Sequence, residues 1–428
     1  MVAYVINCEG KAIMPCSPSK ARKLLVARKA VVMRRMPFTI KLKFPCANRV
    51  QPVVAGMDTG VKVIGVAAVA NGKSVYQSEV LLRSEEIKSK MGQRKSFRRN
   101  RRSRKTGYRK CRFLNRAASI KTGRLSPSVK HVVDAHFRER RFVESILPVS
   151  QWNIETASFD IHRISDPSVS KGHGERYQNG RCKDFYNVKA YVLSRDGHTC
   201  QKCKSGKGKL HVHHIVFKSN GGGNSPDNLV VLCKGCHDKI HALKNGKADK
   251  ASLELQKKVT KHTMAATKIS IVKARIEKYW GSYKETFGYI TKFNRELLGL
   301  EKAHHIDALV IASEGEKVIP LDLVLIRRCV SCGDYKQTFG SRSEKKVPTG
   351  KLYGFRKFDL IKTVKGIGFI KGKRTSGSFA ISDIFGEMIS ASVNIKRNSS
   401  RIRSRKTVIQ EAHFLPGINS WVSMCRNS

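Results

Sequence analysis

Short alternating segments and a few longer apolar runs divide the chain. Val2–Asn7 is strand-like, and Ser17-Pro18-Ser19 offers an N-cap for an amphipathic helix over Lys20–Arg28. Val31-Val32-Met33 and Phe38–Phe44 alternate as strands do. Val53–Val69 is apolar, β-branched and punctuated by glycine, which predicts a hairpin in a buried sheet with Asp58 its only carboxylate. Helical spacing returns over Val129–Ile146 and stops at Pro148. Trp152–Phe159 reads as a strand, apolar except for Glu155 and small polar flanks. Thr286–Leu300 and Lys302–Glu314 read as helices. After Pro320 the chain is basic, strand-like and rich in glycine turns, which predicts a β-rich domain of about 100 residues. No internal repeat with a period of about 20 to 50 residues is present.

Charge changes this picture in one stretch. Residues 88–116 carry fourteen Lys or Arg and no acid, including RKSFRRNRRSRK at 94–105. Without proline and with few β-branched residues, they predict a long basic helix anchored by Phe97, Phe113 and Leu114. Its candidate nucleic-acid contacts are Arg94, Arg98, Arg99, Arg101, Arg102, Arg104, Arg109 and Arg112. The competing expectation is a disordered cationic tract, against which stands its internal position. Polar linkers are expected over residues 160–190 and, rich in lysine, over 244–262.

The whole 428-residue chain carries 84 Lys+Arg against 32 Asp+Glu, a formal net charge of +52. Self-repulsion on that scale calls for a polyanionic partner, and nucleic acid is the obvious one. A hydrophobic content of 40% rules against a wholly disordered basic chain. The twelve cysteines do not read as a disulfide framework, since four stand at zinc spacing and the rest are scattered. Met1–Gly10 lacks the cationic start of a signal peptide, and no run nears the roughly 18 apolar residues of a membrane span. The expected setting is a reducing, cytoplasmic one, on the nucleoid when DNA is bound.

Candidate chemistry concentrates in Leu210–His241. There the chain presents His213–His214, Asn228, Cys233-x-x-Cys236, His237 and His241, with Cys200-x-x-Cys203 upstream. Four thiolates from Cys200, Cys203, Cys233 and Cys236 can clamp one structural Zn²⁺. The histidines and Asn228 suit a divalent cation beside a scissile phosphate. This order resembles the HNH (ββα-metal) nuclease family. The resemblance implies a strand ending at His213–His214, a turn at Gly221–Gly223 and a helix carrying His237. It implies His214 as general base, His213 and His237 as Mg²⁺ ligands with His241 the candidate third, and Asn228 holding the loop. Imidazole fits the base role because its ordinary pKa is near neutrality. A purely structural zinc knuckle that binds nucleic acid is the alternative. Two Cys-x-x-Cys pairs with His-His and Asn nested between them favour the nuclease.

A second set is Asp58, Glu155 and Asp307, carboxylates in otherwise apolar surroundings that call for a compensating cation. Mg²⁺ takes oxygen ligands, and carboxylates from two strands and a helix can build a two-metal phosphodiesterase site. Singly, each has a plainer role: Asp58 in a turn, Glu155 on an edge strand, Asp307 on a helix face. Together, with His304 three residues before Asp307, they resemble the RNase H-like RuvC nucleases. The inserted basic helix and HNH segment make the arrangement resemble the IscB family, transposon-encoded RNA-guided nucleases related to the CRISPR type II effectors. FRRNRRSR matches that family's bridge helix, LGLEKAHHIDALVIA its third RuvC segment, and GKAIMPCSPSKARKLL its PLMP module. Ile13 replaces the leucine of that last signature, and Thr59 stands where proline is common.

The resemblance implies an α/β fold: an RNase H-like (RuvC) core split by insertions, an inserted HNH domain and a β-rich C-terminal domain. Its implied divisions are a PLMP-like module at 1–50 and RuvC segments at 51–86, 118–165 and 262–315. The bridge helix falls at 87–117, the HNH domain at 186–245, and a basic domain contacting RNA and the target flank at 316–428. It implies a monomeric protein in a ribonucleoprotein, with a structured guide RNA and a double-stranded DNA target. The HNH site would cut the guide-paired strand and the RuvC site, with Asp58, Glu155, His304 and Asp307, the displaced one. An RNA-independent homing or junction-type endonuclease and a non-catalytic nucleic-acid-binding factor are the rivals. Cys329-x-x-Cys332 has no second pair nearby.

Overall fold

Ser17 accepts a hydrogen bond from the Lys20 N–H at 3.3 Å, and Pro18 opens helix α1 (Pro18–Val26) where no donor is needed. The computed structural model describes residues 2–46, 50–104, 123–157, 182, 185–217, 225–241, 264–331 and 351–414. Around α1 lie β1 (Ala3–Ile6), β2 (Ala12–Cys16), β3 (Ala30–Arg35) and β4 (Phe38–Leu42), paired in the order β2-β1-β4-β3. Sequence patterning misses β2 because Pro15 interrupts it. At the sheet's edge the missing N–H costs no ladder bond. Ala3, Val5, Ala21, Ile40 and Leu42 close a small core of their own.

The apolar run from Val53 divides into β5 (Val54–Asp58) and β6 (Val63–Ala70), followed by β7 (Lys73–Leu81). These form an antiparallel meander, almost wholly buried. The basic helix α2 (Ser84–Ser103) packs by its start against α3 (Pro127–Glu144) and is solvent-exposed from Gly92 to Arg101. Phe97 is no anchor: it is 61% exposed, since the helix offers it no core to enter. The expected contacts Arg109 and Arg112 and the anchors Phe113 and Leu114 lie outside the described residues. So do the Gly221–Gly223 turn, Cys332, the 244–262 linker and most of 160–190. Strand β8 (Gln151–Glu155) runs parallel to β5, and it ends earlier than the expected Trp152–Phe159.

Residues 158–267 form a compact unit separate from the rest of the chain. It contains α4 (Val188–Arg195), the antiparallel pair β9 (Leu210–His214) and β10 (Leu229–Cys233), and α5 (Lys234–His241). Asn187 caps α4 through Ala190, and the Asp196 carboxylate beyond its end accepts from the Val231 N–H at 2.9 Å. Val192, Leu229 and Val231 seal one face of the hairpin, and Ile215, Val230, Leu232 and Ile240 the other.

From residue 268 the chain belongs to the first unit again, with most of α6 (Met264–Tyr279), then β11 (Lys284–Thr286), α7 (Gly288–Leu297), α8 (His304–Ser313) and β12 (Leu323–Cys329). The C-terminal strands are β13 (Leu360–Thr363), β14 (Gly366–Lys373), β15 (Ser378–Ser382), β16 (Met388–Asn394), β17 (Ser400–Arg403) and β18 (Val408–Phe414). The central sheet has the order β11-β8-β5-β6-β7-β12-β18, so β12 and the last C-terminal strand, β18, extend it. The other five make a sheet β16-β15-β14-β13-β17 around Ile361, Ile370, Phe379 and Ile381. Trp152, Phe137 and Trp280 pack together in the main core, with ring centroids 5.2–5.4 Å apart.

Helix α8 lies directly on β5 and β6, and two glycines allow it. A Cβ on Gly56 would sit 2.1 Å from the Ala308 carbonyl oxygen, and one on Gly65 would sit 1.9 Å from that of His304. Contact so close between helix and sheet brings the first turn of α8 to the ends of the strands that carry Asp58 and Glu155.

Candidate active sites

In the smaller unit, α5 starts immediately after β10, so Cys233 and Cys236 straddle the strand–helix junction. Cys200 and Cys203 come from the turn after α4, where Lys204 takes a left-handed φ of 61° and its N–H bonds the Cys200 carbonyl at 2.7 Å. The four sulfurs lie within 4.8 Å of one another, with Cys203 and Cys233 3.7 Å apart. Burial opposes ionisation of Cys200, but the N–H groups of Cys203, Cys233 and Lys202 outweigh it and lower its pKa. Burial and the neighbouring thiols raise Cys236 instead. Four convergent sulfurs, one already inclined to the thiolate, fit a structural Zn²⁺.

His213 points to the same side of β9 as His211, while His214 alternates to the other. His237 and His241 stand one turn apart on α5, so they share a face. Together His213, His237 and His241 offer ligand nitrogens within 4.8 Å of one another, and His214 is not part of that cluster. Burial, then the imidazoles of His241, His237 and His214, push His213 down to about 4, which keeps it neutral and able to bind a metal. Three imidazoles suit a borderline divalent ion better than Mg²⁺, which takes oxygen ligands. Asn228 clamps the chain after His214 at both ends: its Oδ1 accepts from the Val216 N–H at 2.8 Å and its Nδ2 donates to the Val216 carbonyl at 3.1 Å. Sequence reasoning passed over His211, whose ring stacks on His237 at 4.9 Å. Alternation with His213 along the strand was the available signal.

In the larger unit, β5 and β8 pair in register with Asp58 beside Glu155, so both carboxylates leave the sheet on one face. Thr59 donates to the Glu155 carbonyl at 2.8 Å. From α8, His304 meets Asp58 through Nδ1 at 2.6 Å, while Asp307 receives the Arg295 guanidinium of α7 at 2.5 Å. Burial, then the charges of Asp58 and Asp307, push the Glu155 carboxyl above its ordinary range, against a hydrogen bond from Thr291. The bond to Asp58 raises His304 in turn. The structure thus brings all four expected residues together. The carboxylates do not close into a tight cluster like the two metal-type groups of the smaller unit. A half-buried group of like charges, eased by Arg295 and His304, fits hard divalent cations such as Mg²⁺.

Arg295, Thr291, Glu79 and His305 went unpredicted. Glu79 of β7 accepts from His305 through both its N–H at 3.3 Å and its Nδ1 at 2.8 Å, which ties the first turn of α8 to the sheet. Gly288 leaves room for Glu155, whose Oε1 would lie 2.9 Å from a Cβ there.

Residues 3–180 match the RRXRR protein family, and residues 200–243 match the HNH endonucleases. A type IV methyl-directed restriction enzyme of Escherichia coli strain K12 is 37% identical over 105 residues, 22% of this chain and 38% of the relative. A probable HNH endonuclease of Lactococcus phage SK1 is 41% identical over 64 residues, 13% of this chain and 68% of the relative. The match thus spans well under half of the restriction enzyme and about two thirds of the phage protein.

Proposed function

The chain belongs to the HNH endonucleases, metal-dependent enzymes that cut DNA, and from that premise we propose that it is an IscB-like, RNA-guided double-stranded DNA endonuclease with two active sites. The HNH unit cuts the guide-paired strand. There His214 takes the proton of the attacking water at a ring nitrogen, and Asn228 fixes the backbone that carries it. His213, His237 and His241 hold one divalent ion, while Cys200, Cys203, Cys233 and Cys236 hold Zn²⁺ for folding.

The second site, which cuts the displaced strand, is built from Asp58, Glu155, Asp307 and His304. The observation that carries it is the in-register pairing of Asp58 with Glu155, capped by His304 and Asp307 from one helix turn. The strand order β7-β6-β5-β8-β11, with β5, β6 and β7 antiparallel and β8 and β11 parallel to β5, supports an RNase H-like (RuvC) core. The carboxylates hold Mg²⁺, and His304, tied through Nδ1 to Asp58, exchanges a proton with the substrate oxygens. Bound ions at both sites supply positive charge against the phosphate and the leaving oxygen. Guide RNA is supported by the exposed arginines of α2, the net charge of +52 and the match to RRXRR proteins. The partners are a structured RNA and duplex DNA with a short flanking motif.

Protein expressed with its native flanking DNA and purified without nuclease should carry one defined RNA. Sequencing that RNA gives the guide, and a plasmid bearing the complement should be cut in both strands. Cutting that survives complete RNA removal would select the second reading, an RNA-independent endonuclease, which the restriction-enzyme relative favours.

A further inference from the structure

With no residue of either site in its lining, the larger unit contains an open cavity of about 520 Å³ with an unusual wall. Arg34 and Arg35 enter from β3, Arg138 from α3, Arg327 from β12, Arg403 from the end of β17 and Lys406 from the stretch before β18. Among the described residues no carboxylate lines it. Glu139, behind the wall, pairs with Arg327 at 3.1 Å, and Glu411 acts on Arg403. Two acids therefore answer six cations.

The guanidinia are held in place. Arg327 lies 3.3 Å from the Phe142 ring centroid and Arg34 lies 5.5 Å from it, while Arg34 also donates to Ser145 at 3.0 Å. Arg327 is 4% exposed in its side chain, and its Nε has no hydrogen-bond partner. Burial and the Arg327 charge lower the Arg34 pKa, the sign of cations crowded without an anion. Phe358 lines the cavity at φ 69°, a left-handed backbone that a bulky side chain rarely adopts. Met33 adds an exposed apolar wall.

We propose that this cavity is a nucleotide pocket that takes one unstacked nucleotide of a single-stranded nucleic acid. Arg34, Arg35, Arg403 and Lys406 hold its phosphates, and the base lies against Phe358 and Met33. The volume suits a single nucleotide, planar guanidinia suit phosphate oxygens, and an aromatic wall suits any base. RNA and DNA share this chemistry, so the source is decided by experiment. The inference stands apart from the nuclease sites, whose residues it does not use.

The test uses the full chain, stripped of bound nucleic acid at high salt, and two ten-nucleotide probes: oligouridylate and oligothymidylate, each with one 5-iodouracil base. Ultraviolet crosslinks are mapped by mass spectrometry. Crosslinks should fall on Phe358 or Met33. They should drop about tenfold in the double variant Arg35→Ala, Lys406→Ala, which alters only exposed side chains; its melting temperature checks the fold. Crosslinking with the ribose probe alone assigns RNA, with the deoxyribose probe alone assigns DNA, and with both assigns the shared single strand. Crosslinks that avoid the cavity wall with both probes, or yields that the double variant leaves unchanged, overturn the proposal.

Discussion

Among single residues, the buried His136 gives the clearest pH dependence. Its side chain has no exposed surface, Nδ1 donates to the Val132 carbonyl at 2.8 Å and Nε2 has no partner, so burial pushes its pKa down to about 4. The unfolded chain takes up the proton near pH ~6.5, the folded chain only near 4. Stability is therefore intact above the unfolded pKa, falls as pH drops through that window, and levels off below it. At pH 4.5 the loss should be about 2–3 kcal/mol, and His136→Gln should abolish it. Denaturant midpoints of both proteins at pH 7.5 and 4.5 measure this, and equal pH slopes would exclude the titration. In the proposed mechanism, His214→Ala removes a general base and should slow cutting of the guide-paired strand by about 10²–10⁴-fold. Asp58→Ala should spare that strand and stop cutting of the other. Strand-specific labels on a programmed target separate the two. If either change abolished cutting of both strands while RNA and DNA binding persisted, the two sites would not be independent.

Elements decide whether those residues meet. Gly65 lets α8 lie on β6, and Gly65→Ala would force a methyl into the His304 carbonyl. The helix must then shift with both His304 and Asp307, at a cost of about 1–3 kcal/mol. Cutting by the Asp58 site should fall while HNH cutting is unchanged; a variant with normal cutting of both strands would show that close packing does not position α8. Cys203→Ser should strip zinc from the smaller unit, lower its melting temperature and stop HNH cutting, leaving the Asp58 site active. Active protein without zinc by metal analysis would remove the premise. Both motifs were visible in the sequence because their chemistry needs fixed local spacing, as in the two Cys-x-x-Cys pairs. The isolated carboxylates were visible because apolar residues flank them, on strands for Asp58 and Glu155 and on a helix for Asp307. Helix α7 was legible within Thr286–Leu300, but the face it buries was not. Its polar Thr291 and Arg295 are buried toward Glu155 and Asp307, while Tyr289, Phe293 and Leu297 are 66–73% exposed. Apolar periodicity assumes the opposite face is buried, and a site that pulls a cation inward reverses that rule. Glu79 and His305 escaped for a related reason: a contact between residues so far apart in the chain leaves no spacing to read.

For the molecule as a whole, charge is the dominant fact, and α2 is where it is densest. From Gly92 to Arg101 every residue of the helix is exposed, and Arg94, Arg98, Arg99, Arg101 and Arg104 stand in solvent. At about 100° per residue these arginines point around much of the circumference, so no single flat surface can answer them. Such a helix is held best when polyanion surrounds it, and arginine's planar fork binds phosphate oxygens in pairs where lysine binds as a point. An RNA folded around the helix meets that requirement; duplex DNA lying along one side does not. Replacing Arg98, Arg99, Arg101 and Arg102 with alanine removes up to four phosphate contacts. The log–log salt dependence of RNA binding should then flatten by roughly three units. Copurifying RNA should be lost before either catalytic centre changes, because none of the four arginines belongs to one. Filter binding across a salt series measures the slope, and sequencing measures the retained RNA. A variant that keeps its RNA with the same salt slope and loses only DNA binding would assign the helix to the target duplex.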